Sequence, residues 1–86
     1  MTDLVRTLGA TVRQLREAHA WSQEELAEHA GMNRSYIGEI ERGSAIASIV
    51  TVEKLAVALG VPISWLLGSG AAHVSLRDAQ VVGTRS

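Results

Sequence analysis

The 86 residues include no cysteine, so neither a disulfide framework nor a thiolate metal site is open to this chain. Aromatic residues are nearly missing too: Trp21, Tyr36 and Trp65 are all there are. A core must therefore be assembled from Leu, Ile, Val and Ala, which dominate the 47% of residues that are apolar and suit close helix packing. A basic excess is also lacking. Eight Lys and Arg face nine Asp and Glu, for a net charge of −1. Any surface meant for a polyanion must then be local, built from a few arginines. No apolar run approaches membrane length, and Asp3, Arg6, Arg13 and Arg16 break up the N-terminal segment. The expectation is a soluble, cytoplasmic protein without membrane attachment. His19, His29 and His73 are too scattered for a ligand cluster, and no His-Glu-x-x-His, nucleophile elbow or Gly-rich phosphate loop is present. Neither enzyme chemistry nor a metal or other cofactor is expected.

What is present is a run of well-punctuated helices. Leu8, Val12 and Leu15 fall at i, i+4, i+7 and predict an amphipathic helix over about 4–18. Ser22-Gln23-Glu24-Glu25 is a capping box, with Trp21 and Leu26 at the spacing of a hydrophobic staple. Leu26, Ala27 and Ala30 face inward, and Gly31 stops that helix. Asn33 caps the next, which runs over 34–42 with Ile37 and Ile40 buried and Gly43 at its end. Only Gly31-Met32-Asn33 separate the two, and short helices joined by such a Gly-containing turn form a helix-turn-helix. Ser48 caps a fourth helix reaching Leu59, with Ile49, Val52, Leu55, Ala56 and Leu59 on its inner stripe. Gly60 closes it, and Pro62 fits the first position of a fifth helix over 62–67. The reading is one all-α domain over 1–68, a five-helix bundle, with a C-terminal tail over 69–86 that shows no sustained period and is expected to lack order.

Leu8-Gly9, Leu15-Arg16, Trp21-Ser22-Gln23-Glu24-Glu25-Leu26-Ala27, Ala30-Gly31 and Ile40-Glu41-Arg42-Gly43 follow one another in the order and spacing of a known pattern. Leu55-Ala56, Ala58-Leu59-Gly60-Val61-Pro62 and Leu66-Leu67 continue it. The chain resembles the XRE family, which holds Cro, phage repressors and the controller proteins of restriction-modification systems. The resemblance implies a lambda-repressor-like domain whose third helix enters the DNA major groove, with N-terminal residues of that helix at base edges. Carried over position by position, Arg34, Ser35 and Glu39 face bases, Gln23 holds a phosphate, and Tyr36 and Arg42 lie where relatives touch backbone or base. It also places Arg16 against Glu41 as an ion pair joining the first and third helices.

Each residue has a plainer reading. Arg at a helix start opposes the helix dipole, which favours a functional Arg34, since Arg paired bidentately with guanine is the commonest specific base contact. Ser35 and Glu39 could simply be solvated, Arg42 could only complement its helix end, and Tyr36 divides evenly between core packing and contact. The loop Ser44-Ala45-Ile46-Ala47 departs from the family by carrying neither a charge nor Pro, which leaves Ile46 for packing or a partner. Gly38 replaces the Ser usual in relatives, exposing backbone at a cost of up to about 1 kcal/mol against Ala.

The expected partner is operator duplex DNA, bound by a homodimer. A single recognition helix covers about half a site, and two copies on a two-fold axis would read half-sites about 34 Å apart. Ile63, Trp65 and Leu66 are the candidate dimer interface, because so short a helix cannot bury all its large apolar residues against its own core. The alternatives are a protein-interaction module that has lost DNA binding, and an antitoxin whose tail after Gly68 takes a protein partner.

Overall fold

The computed structural model describes residues 2–67, and among these all regular structure is helical. The order is α1 (Thr2–Ala18), α2 (Gln23–Ala30), α3 (Arg34–Arg42), α4 (Ile49–Leu59) and α5 (Ile63–Leu66). The tail over 69–86 and Gly68 lie outside the described residues.

The helix limits follow local chemistry. The Ser22 side chain accepts from the Glu25 amide while the Glu25 carboxylate accepts from the Ser22 amide, so the capping box is complete. Asn33 accepts from the Ser35 amide and Ser48 from the Thr51 amide, closing the starts of α3 and α4. Gly31 ends α2 at φ 65°, and its left-handed conformation turns the chain directly into α3, a geometry costly for a residue with a Cβ. Gly43 and Gly60 cap α3 and α4 in the same way. Pro62 stands one position earlier than expected, as the residue before α5, and the fixed φ of proline suits that place too.

The core joins all five helices. Leu8 and Val12 of α1, Leu26 and Ala27 of α2, Ile37 and Ile40 of α3, Val52, Leu55, Ala56 and Leu59 of α4, and Leu66 of α5 are buried together. Large aliphatic side chains removed from water in this way contribute about 1.5–3 kcal/mol each. Two expectations fail here. Ile49, assigned to the inner stripe of α4, is 65% exposed, because it borders an apolar groove between α1 and α4 that no other described residue fills. Leu66, assigned to a dimer interface, is fully buried within the single chain: α5 rests on both α4 and α1 and spends its deepest residue there.

α1 packs against α3, and the two backbones meet at Gly9. A Cβ on Gly9 would collide with the Ile40 carbonyl oxygen and lie 2.8 Å from that of Glu41. Glycine is thus the residue that lets α1 lie directly on the end of α3, which sets how far α3 stands out from the bundle.

Candidate nucleic-acid interface

Helical periodicity divides α3 into two faces. Ile37 and Ile40 point into the core, while Arg34, Ser35, Glu39 and Arg42 lie exposed on the other side. Gln23, the first residue of α2, projects onto the same surface. Together Gln23, Arg34, Ser35, Gly38, Glu39 and Arg42 line a polar depression of about 350 Å³. Five of the six residues named from sequence as DNA contacts therefore converge.

Tyr36 stands apart from that depression. Its ring packs against the core from the flank of α3, and its hydroxyl donates to the Ile46 carbonyl at 3.4 Å. It ties the α3–α4 loop to α3. Ile46 itself is exposed, and with Leu4, Val5, Leu8, Ala47, Ile49, Val52 and Leu67 it borders an apolar groove on another part of the surface.

Beneath the polar face lies an ion pair. Arg16 donates from Nε to Glu41 Oε2 at 2.7 Å and from Nη2 to Oε1 at 3.0 Å, a bidentate fork, and from Nη1 to the Trp21 carbonyl at 2.7 Å. The two side chains are 12% and 4% exposed. Hydrogen bonding to Glu41 holds the Arg16 guanidinium above its ordinary pKa, against the opposing effect of burial. Glu41 Oε1 also accepts from Gln23 Nε2 at 3.1 Å. One carboxylate therefore links the end of α1, the start of α2 and the end of α3. It fixes the Gln23 amide with one N–H used internally and a second N–H in no hydrogen bond among the described residues. The sequence pattern could suggest the Arg16–Glu41 pairing, but nothing in it signalled that Gln23 is held by the same group.

Trp21 adds a second brace. It is stacked between His19, with ring centroids 4.3 Å apart, and His29, at 4.0 Å. The Nε2 of His19 also lies 3.0 Å from the Leu59 carbonyl, joining the α1–α2 turn to the end of α4. His73 lies outside the described residues. Among the described residues no group of three or more His, Cys, Asp or Glu comes together, and no helix is long and apolar enough to cross a membrane.

Gly38 is buried, contrary to the expectation of exposed backbone, because Gln23 and Arg42 roof it. Of the residues expected at a dimer surface, Trp65 is 55% exposed and Ile63 is half-buried against the core. Val50 and Val57, seven residues apart on α4, are exposed as well.

Two short helices set around a three-residue turn, the second presenting a polar face to solvent, define a helix-turn-helix protein. The chain belongs to the HTH_3 helix-turn-helix family, whose model matches residues 12–66. It is 39% identical over 64 residues to the HTH-type transcriptional regulator SutR of Escherichia coli, a match that covers 74% of this chain but only 36% of SutR. It is 44% identical over 63 residues to the control protein C.BamHI of Bacillus amyloliquefaciens, covering 71% of this chain and 78% of that protein. Among solved structures, the restriction-modification controller protein C.AhdI of Aeromonas hydrophila superposes with a TM-score of 0.70 at 42% identity, over 72% of this chain and 94% of C.AhdI. The fold and the relatives are those of DNA-binding helix-turn-helix transcription regulators.

Proposed function

We propose that this chain is a sequence-specific regulator that lays α3 in the major groove of duplex DNA and binds as a homodimer in the cytoplasm. The observation that carries this reading is the convergence of Gln23 from α2 with Arg34, Ser35, Glu39 and Arg42 from α3 on one exposed polar face. Arg34, at the N-terminal end of α3, is suited to guanine O6 and N7, and Ser35 and Glu39, which line the same depression, are suited to neighbouring base edges. The Gln23 amide and the start of α2 are suited to a backbone phosphate, a contact that sets register without reading sequence. Arg42, one turn beyond Gly38, supplies a second cation to the same surface. Tyr36 serves by holding the loop rather than by touching DNA. With a net charge of −1, Arg34 and Arg42 supply the two local cations that this face offers to a phosphate backbone.

The homodimer rests on the half-site geometry of a single recognition helix and on apolar area left uncovered on α4 and α5. With Leu66 spent on the core, that area consists of Trp65 on α5 and of Ile49, Val50 and Val57 on α4. The test is selection of bound sites from a random duplex library, repeated with two variants. Arg34→Ala should cost about 1–3 kcal/mol of specific binding and relax preference at one base position. Gln23→Ala should weaken all sequences alike. An unchanged selected motif with Arg34→Ala would refute the base-reading role, and no recovered motif at all would favour a protein-interaction module.

A further inference from the structure

Glycine in the middle of a nine-residue helix weakens that helix relative to alanine, and its presence at position 38 asks for a reason. The geometry supplies one. A Cβ at Gly38 would lie 3.2 Å from Arg42 Nη1, 3.6 Å from Gln23 Oε1 and 3.8 Å from Gln23 Nε2. These groups come from different helices yet close over one point on the α3 backbone. Their freedom to move is unequal. Gln23 is held by Glu41 at 3.1 Å, and Glu41 by Arg16. Arg42 is exposed and its head is the end of a flexible side chain. A methyl group at position 38 would therefore displace Arg42 and leave Gln23 in place.

We infer that Gly38 is a positioning residue for nucleic-acid recognition: its missing side chain forms the notch in which the Arg42 guanidinium lies beside the Gln23 amide. The notch sets the spacing between a cation on the recognition helix and a hydrogen-bond donor on the preceding one, the two groups that must meet the duplex together. This rests on the DNA-binding reading above, but its first consequence is visible without DNA. In the free protein, Gly38→Ala shifts the NMR signals of the Arg42 Nε–H, while the Gln23 side-chain amide stays hydrogen-bonded to Glu41.

Binding then separates this role from a merely structural one. Gly38→Ala should melt no lower than the wild-type chain, because alanine is the better helix former. It should nevertheless bind the duplex selected by the wild-type chain about fivefold more weakly or worse, the scale expected for a coupled neighbour. The same substitution made in an Arg42→Ala background should have almost no further effect on binding, since the group it displaces is gone. Four results overturn the inference: an unmoved Arg42 signal; a Gly38→Ala affinity equal to wild type; a loss that stays undiminished in the Arg42→Ala background, which would mean that the new methyl meets the DNA itself; and a lowered melting temperature that accounts for the weaker binding. A wild-type chain that binds no duplex at low salt overturns the DNA-binding reading, and the recognition role of the notch with it.

Discussion

Replacing Glu41 by alanine removes the acceptor of three side-chain hydrogen bonds, at 2.7, 3.0 and 3.1 Å, from a position where the carboxylate is only 4% exposed. The guanidinium of Arg16, 12% exposed, would then have the Trp21 carbonyl and only the weaker, more distant attraction of exposed Glu17. Stranding a buried charge costs about 3–5 kcal/mol. A domain of this size has about 5–15 kcal/mol in total, so the loss removes much of its margin. At about 4–8 °C per kcal/mol, the melting temperature should fall by at least about 12 °C. Thermal unfolding followed by far-ultraviolet circular dichroism reads this directly. Glu41→Gln, which keeps the shape and loses the charge, should fall in between. The double variant Arg16→Met with Glu41→Leu should recover most of the loss, because two apolar residues of similar size leave no charge behind. A Glu41→Ala shift of only one or two degrees would refute the argument and show that water screens the pair.

Gly9→Ala should destabilise by about 1–3 kcal/mol or more in the same assay, since its Cβ meets backbone oxygens that cannot swing aside; an unchanged melt would mean that α1 and α3 separate freely. The slope of log K against log salt should be about −5, from about six phosphates neutralised per dimer, and a slope of about −10 would reveal a larger cationic surface. Trp65→Ala should give a folded monomer in sedimentation velocity, while an unchanged dimer would move the interface elsewhere.

The helix limits were legible because their causes are local. The Ser22–Glu25 box, the Asn33 and Ser48 caps and the terminating glycines each act within four residues, and the sequence displays them side by side. The outward face of α3 was legible for the same reason, since 3.6 residues per turn places Arg34, Ser35, Glu39 and Arg42 opposite Ile37 and Ile40. Features made by two helices at once were not. The Gln23–Glu41 bond joins residues 18 apart, and the contact of Gly9 with the carbonyl of Ile40 exists only once α1 crosses α3. Leu66 was misplaced because four residues of α5 are too few for periodicity to tell the buried side from the exposed one. Ile49 was misplaced because a stripe drawn along a helix takes no account of whether the facing side chains close over it.

Arg34, Ser35 and Glu39 are exposed, and among the described residues their side chains form no hydrogen bond with the rest of the protein. Stability and the proposed recognition are thereby written in different letters. The ion pair, the caps and the aliphatic core spell the scaffold, and these three positions can be respelled at a cost within about 0.5 kcal/mol each, as for other surface sites. A library randomised at 34, 35 and 39 would then consist almost wholly of folded members differing in the DNA they prefer. On the proposed reading, the alphabet of this chain can be exchanged without rebinding the book.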